Sequence, residues 1–252
     1  IDSRVLKALS VMQIDTLTEV QHKSIPHALK GKDVVAGAKT GSGKTLAFLV
    51  PAVNRLLTSR PLTKADPRAI ILAPTRELAK QVFLQAKKLT ATQSMQVALI
   101  VGGENYNDQV KVLRKNPDII VATAGRLADH IDGKSFFLNG IELLILDEAD
   151  RMLDMGFIND IKKILARLPK ERQNLMFSAT FSPEIQKLAK SLLNNPVEVS
   201  VTPLNTATEL VEQQLYIVDK TRKTELLKAL ILKENWYQAL VFSRTKHGAN
   251  KI

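Results

Sequence analysis

The stretch AKTGSGKT, residues 38–45, holds the first residues whose types and spacing suggest chemistry. Gly41 and Gly43 carry no Cβ, so backbone N–H groups around them can converge on phosphate oxygens. Lys44 can neutralise terminal phosphates and the Thr45 hydroxyl can ligate Mg²⁺; Lys39, Thr40 and Ser42 complete the loop. The pattern departs from G-x-x-x-x-G-K-[ST] at one place, where Ala38 replaces the first glycine. A second set, Asp147, Glu148 and Asp150, follows the apolar run Leu143–Leu146. A strand that ends in adjacent acids places Asp147 to hold Mg²⁺ and Glu148 to polarise an attacking water. Each set also has a plain reading, a glycine turn and an acidic helix start. Their joint presence favours a nucleoside triphosphate site.

Both sets need strands that deliver them to one place. Short β-branched or leucine-rich runs alternate with amphipathic stretches from about residue 33 to residue 201, the pattern of a parallel sheet with helices on its faces. The expected strands are Asp33–Gly37, Ala69–Ala73, Gln96–Val101, Asp118–Ala122, Leu143–Asp147, Asn174–Ser178 and Val197–Val201. Expected helices include Leu46–Leu57, Glu77–Leu89 and Phe157–Leu168, and Ser182-Pro183-Glu184 opens another with a cap, a proline and an acid. The domain reading is a first domain over 1–202, a linker over 203–210, and the incomplete start of a second domain over 211–252. That start consists of a strand at Glu212–Val218, a helix at Lys223–Leu232 and a strand at Ala239–Ser243.

Composition narrows the chemistry further. The absence of cysteine excludes disulfides, thiolate metal sites and cysteine nucleophiles, and it fits a reducing, cytoplasmic setting. His22, His27, His130 and His247 do not fall at metal-ligand spacing and read as surface or satisfied polar positions. No apolar run approaches the ~20 residues that cross a bilayer, so no membrane role is expected. The first residues lack the pattern of a secretory signal and there is no initiator methionine, so the chain reads as an excised fragment. The net charge of +11 favours a polyanionic partner. Eight basic and five acidic residues follow Pro203, leaving +3 there and +8 before it, so the excess is spread over both parts.

With Asp147-Glu148-Ala149-Asp150 reading DEAD, AKTGSGKT before it and Ser178-Ala179-Thr180 after it, the chain resembles the DEAD-box ATP-dependent RNA helicase family. Further elements fall in that family's order: Gln21, Pro74-Thr75-Arg76-Glu77-Leu78-Ala79, Gly102-Gly103, Thr123-Ala124-Gly125-Arg126, and later Val241-Phe242-Ser243-Arg244-Thr245-Lys246. The resemblance implies a RecA-like, P-loop NTPase α/β fold followed by a truncated second RecA-like segment, with ATP and Mg²⁺ as cofactors. It assigns Ala38–Thr45 and Gln21 to ATP, Gln21 to the adenine edge, and Asp150, Ser178 and Thr180 to coupling. It assigns Pro74, Thr75, Arg76, Gly102, Gly103, Thr123, Gly125 and Arg126 to an RNA track with little sequence preference. Ala38 is regular for the family, whereas Leu17, Ile14 and Ala124 depart from its pattern. Phe136-Phe137 and Trp236-Tyr237 read as packing residues, and FSRTKHGA is similar to an RhlE-type bacterial branch.

The leading expectation is RNA-stimulated ATP hydrolysis coupled to local duplex unwinding, with Lys44, Asp147 and Glu148 at the reaction. A second reading is an ATP- and RNA-binding module without appreciable turnover, because the family's later arginine motifs would lie beyond Ile252. A third is a DNA-directed phosphate-loop ATPase.

Overall fold

The computed structural model describes residues 1–59, 61, 66–201, 212 and 214–250. The chain divides into two compact units, Ile1–Thr206 and Ala207–Ile252. The proposed linker, 203–210, lies outside the described residues.

In the larger unit, α1 (Ser3–Val11) and α2 (Glu19–Leu29) precede an alternating series. It runs β1 (Val34–Gly37), α3 (Lys44–Thr58), β2 (Ala69–Leu72), α4 (Arg76–Leu89), β3 (Val97–Ile100), α5 (Tyr106–Leu113), β4 (Ile119–Ala122) and α6 (Ala124–Asp132). It continues through β5 (Leu143–Leu146), α7 (Ala149–Asp154), α8 (Ile158–Arg167), β6 (Gln173–Ser178), α9 (Pro183–Leu192) and β7 (Val197–Ser200). All seven expected strands form, several a residue shorter at one end or both.

The strands join one sheet in the order β3-β4-β2-β5-β6-β1-β7, and every pairing is parallel. Alternate residues of each central strand serve opposite faces. Ala36, Ile71, Val121, Ile145 and Phe177 pack with Phe48, Val53 and Val82 from α3 and α4. Val35, Ile70, Ile120, Leu144 and Met176 pack with Leu127, Met152, Ile161 and Ile185 from α6 to α9. Burial on both faces explains why the central strands are nearly continuous in apolar residues. The helix α9 starts as expected: Ser182 caps it by accepting from the Ile185 amide, with Pro183 in the first turn.

Because the strands are parallel, all their C-terminal ends lie along one sheet edge. The order then sorts the loops. β5, β6 and β1 carry the DEAD acids, Ser178–Thr180 and the phosphate loop, while β3, β4 and β2 carry Gly102-Gly103, Thr123–Arg126 and Pro74–Arg76.

In the smaller unit a 3₁₀ turn at Lys220–Arg222 leads into α10 (Lys223–Lys233), and α11 (Lys246–Ala249) follows. The helix matches expectation, but the two strands do not. The described residues of Glu212–Val218 and all of Ala239–Ser243 belong to no ladder. Leu215, Ile217, Leu240 and Phe242 are exposed. A strand exists only through a partner edge, and the alternating pattern that suggested these two specifies none.

Candidate nucleotide and nucleic-acid site

The phosphate loop begins as an extension of β1. Ala38 donates its amide to the Ser178 carbonyl at 3.0 Å and is buried. It does not adopt positive φ, so a Cβ is tolerated where the motif has glycine. The later glycines are different. Gly41 has φ +83° with open space over its Cα, and Gly43 has φ +91° at the N-cap of α3. A Cβ on Gly43 would stand 2.6 Å from Gln21 Nε2 and 2.8 Å from Thr18 Oγ1. Only glycine suits this position on both counts. Ser42 closes the turn by donating its hydroxyl to the Lys39 carbonyl at 2.7 Å.

Loop and acids meet at a cleft of about 510 Å³. Thr40, Lys44 and Thr45 line it on one side, Asp147 and Glu148 on another, and Ile14 and Leu78 at its borders. Lys44 Nζ and Asp147 Oδ1 are both buried and neither has a hydrogen-bond partner. Burying such groups unpaired is costly, and of the buried side-chain atoms without a hydrogen-bond partner among the described residues, which also include Arg55 Nε and Gln93 Oε1, only these two line this cleft. A polyanion on Lys44 and a divalent cation between Asp147 and the Thr45 hydroxyl would satisfy both. Burial lifts the Asp147 carboxyl to about 6, with Lys44 opposing the rise and Glu148 adding to it.

Glu148 occupies a left-handed backbone position, φ 52° and ψ 54°, as the N-cap of α7. This turns the chain between β5 and α7 so that neighbouring acids point to different tasks. Glu148 Oε1 accepts from the Thr40 hydroxyl at 3.0 Å, and Oε2 lies 3.5 Å from Arg151 Nη1. Asp150 turns to β6, where its Oδ2 accepts from the amides of Ala179 (3.2 Å) and Thr180 (2.9 Å) and from the Thr180 hydroxyl (3.0 Å). Thr180 therefore binds Asp150, but Ser178 does not. Its hydroxyl donates to the Thr180 carbonyl at 2.7 Å, because Ser178 is the last, fully buried residue of β6.

Gln21 is placed beside the loop, yet its amide already serves protein. Oε1 accepts from the Thr18 amide at 3.0 Å and Nε2 donates to the Gly43 carbonyl at 2.9 Å. One lone pair and one N–H remain for another partner. An apolar pocket of about 420 Å³ adjoins the cleft through the shared residues Ile14 and Leu46, with Gln21, Leu9 and Leu17 also lining it.

At the other half of the edge, Thr75 spends its hydroxyl on capping α4 by accepting from the Leu78 amide at 3.2 Å. Pro74 is buried, so its part at this edge is to shape the backbone. Gly103 has φ +81°, and a Cβ there would collide with the guanidinium of Arg76. The Gly102 amide donates to Thr123 Oγ1 at 3.4 Å. Arg126 Nη1 donates to the Glu104 carbonyl at 2.9 Å and to Gln109 Oε1 at 3.0 Å. The three stretches singled out in the sequence thus interlock.

The DEAD/DEAH box helicase model matches residues 18–188, which include the phosphate loop, the acids and Ser178–Thr180. The chain belongs to the DEAD/DEAH box helicase family. It is 43% identical to the ATP-dependent RNA helicase RhlB of Pseudoalteromonas atlantica, over 100% of this chain and 60% of that protein. It is 42% identical to RhlB of Vibrio cholerae, over 93% of this chain and 55% of that one. The chain thus spans about 60% of the length of the curated relatives it matches most fully. Among solved structures it resembles a DEAD box protein from Methanococcus jannaschii, with TM-score 0.75 and 35% identity, over 100% of this chain and 66% of that one. It also resembles a hypothetical ATP-dependent RNA helicase from Sulfolobus tokodaii, with TM-score 0.73 and 37% identity, over 80% of this chain and 57% of that one. The named relatives carry the RhlB designation. The parallel sheet covered on both faces agrees with the expected RecA-like fold.

Sequence reading missed three participants: Arg151 at Glu148, and the buried pair Gln109 and His130 beneath Arg126. Only the general reading of His130 as a satisfied polar residue anticipated any of this. The aromatic pairs do not all pack as expected. Phe136 packs on the core, whereas Phe137, Trp236 and Tyr237 are exposed. Among the described residues no helix is long and apolar enough to cross a membrane.

Proposed function

We propose that the protein is an ATP-dependent RNA helicase and that this chain carries its ATP site and one RNA-binding face. The observation that carries this reading is the pair of orphaned buried groups, Lys44 Nζ and Asp147 Oδ1, at a cleft shared with Glu148. In this reading the Ala38–Thr45 loop wraps the phosphates with backbone N–H groups, and Lys44 holds their terminal charge. Thr45 and Asp147 hold Mg²⁺, which when bound neutralises phosphate charge. Glu148 leaves the Thr40 hydroxyl and accepts a proton from the attacking water. Gln21 keeps its bond to Gly43 and offers its remaining N–H and lone pair to the adenine edge. Asp150 and Thr180 tie the loop after β5 to the loop after β6, so a change at the phosphates reaches both.

The RNA lies along the ends of β2, β4 and β3. Arg76 and Arg126 supply charge, and Gly102, Gly103 and Gly125 let the backbone approach closely. Thr123 shapes the turn beside Gly102, and Thr75 and Pro74 fix the start of α4. Contacts of this type read the sugar-phosphate backbone, so binding shows little sequence preference and the 2′-hydroxyl separates RNA from DNA. A cytoplasmic location follows from this reading.

A second reading, a binding module without turnover by itself, is favoured by the tie between Glu148 and Thr40. Single-turnover ATP hydrolysis with RNA, comparing this chain with the longer protein, separates the two. Hydrolysis only in the longer protein supports the module reading for this chain, and equal rates reject it. RNA and DNA of the same sequence are then competed in the presence of an ATP analogue. Equal competition by DNA overturns the RNA assignment in favour of a DNA-directed ATPase.

A further inference from the structure

Beneath Arg126 lies a buried polar cluster that the nucleotide chemistry does not use. Gln109 of α5 donates its Nε2 to the Val101 carbonyl at 2.8 Å. That carbonyl can only accept, so the orientation of the amide is determined and Oε1 faces the other way. There Oε1 accepts from Arg126 Nη1 at 3.0 Å and from His130 Nε2 at 3.0 Å. His130, fully buried in α6, therefore carries its proton on Nε2 and uses Nδ1 to accept from the Ser135 hydroxyl at 3.0 Å. Its ring lies flat against Tyr106, with centroids 4.1 Å apart and planes 4° from parallel.

The cluster also limits Arg126 from its other sides. The Glu104 carbonyl accepts from Nη1, and the Asp129 carboxylate stands 3.8 Å from Nε. Rotating the Gln109 amide would turn N–H groups toward both Arg126 and His130 while leaving the Val101 carbonyl unpaired. A buried amide that is held at both ends fixes its guanidinium partner more firmly than a solvated acceptor would. An apolar pair would fill the same space without any of these constraints.

We propose that Gln109 and His130 are positioning residues for RNA binding: His130 locks the Gln109 amide, and Gln109 holds Arg126 in the orientation that meets the RNA backbone. This rests on the reading that Arg126 touches RNA. Arg126 then enters the complex with its side chain already ordered, and that ordering is what the two buried residues supply.

The test measures binding of a single-stranded RNA oligonucleotide to the full chain with an ATP analogue present. The variants are Arg126→Ala, Gln109→Met, His130→Phe, His130→Gln and the double variant Arg126→Ala with His130→Phe. His130→Phe keeps the stack on Tyr106 but loses the donor, while His130→Gln restores a donor near the former Nε2. The expected result is that His130→Phe and Gln109→Met each weaken RNA binding about three- to tenfold, the size of ordering one long side chain. His130→Gln recovers most of the affinity, ATP-analogue affinity is unchanged, and the double variant binds RNA no more weakly than Arg126→Ala. Parent-like RNA binding by His130→Phe, or additive losses in the double variant, overturns the inference while Arg126→Ala still weakens binding. If Arg126→Ala binds like the parent, the RNA-face assignment fails and the inference falls with it. Should His130→Phe not fold, Gln109→Met and its double variant with Arg126→Ala decide the matter by the same criteria.

Discussion

Replacing His130 by glutamine should remove a specific share of the protein's acid sensitivity. Burial above all, helped by the nearby Arg126 charge and partly opposed by Asp129, lowers the His130 imidazole to about 4. The ordinary histidine value is 6.5. As pH falls, the unfolded chain therefore takes up this proton first, and stability is lost between pH 6.5 and about 4. With those two values the loss between pH 7 and pH 5 is about 2 kcal/mol. For a unit of this size that corresponds to roughly 4–8 °C in melting temperature. Glutamine offers an N–H toward Gln109 but does not titrate, so His130→Gln should lack this component whatever its stability at pH 7. The assay is thermal unfolding of both proteins at pH 7 and pH 5. Carboxylates common to the two cancel in the comparison, and the parent should lose about 2 kcal/mol more than the variant. Parallel losses in the two proteins would refute the reasoning, because His130 would then charge equally well folded and unfolded.

Asp147→Asn should stabilise the protein at pH 7.5, since the Asp147 value near 6 means the fold resists the charge above that pH. The gain is on the order of 1–3 kcal/mol after allowing for an amide that also lacks partners. It should vanish as pH falls toward 4, and Mg²⁺-dependent stabilisation by nucleotide should disappear; a lower melting temperature at pH 7.5 counts against this account. Gly103→Ala places a side chain at φ +81° and against the Arg76 guanidinium, so a loss of about 1 kcal/mol in stability and weaker RNA binding are expected. Unchanged RNA affinity in equilibrium titrations would remove Gly103 from the proposed face. Thr180→Val deletes one of three hydrogen bonds to Asp150 and should leave nucleotide affinity intact while lowering RNA-stimulated hydrolysis in the longer protein. A drop in nucleotide affinity instead would place Asp150 at the nucleotide itself.

The motif residues were legible in the sequence because their chemistry is local. AKTGSGKT needs glycine at two backbone positions, and the structure gives positive φ to both Gly41 and Gly43. The apolar run before Asp147 marked a strand end, and burial on both faces kept that run uniform. Alternation of short apolar runs with amphipathic stretches determined a parallel sheet in the same local way. It did not determine that β5, β6 and β1 lie together, nor that β3, β4 and β2 do, since periodicity records which face is buried and not which strand is adjacent. Nor could it make strands of Glu212–Val218 and Ala239–Ser243, which have no partner edge among the described residues.

Which partner each polar side chain takes was decided only by the tertiary structure. Ser178 and Thr180 look equivalent in the sequence, yet burial at the end of β6 sends one hydroxyl to a backbone carbonyl while the exposed one reaches Asp150. Gln109 and His130 carry no motif, and their roles depend on α5 and α6 lying side by side with a carbonyl, a guanidinium and a tyrosine ring around them. The sequence alone determined which groups carry charge and which backbone must be glycine. Packing alone decided which buried polar groups are satisfied by protein and which, like Lys44 Nζ and Asp147 Oδ1, are left without a hydrogen-bond partner, because satisfaction depends on neighbours that the chain brings together only by folding.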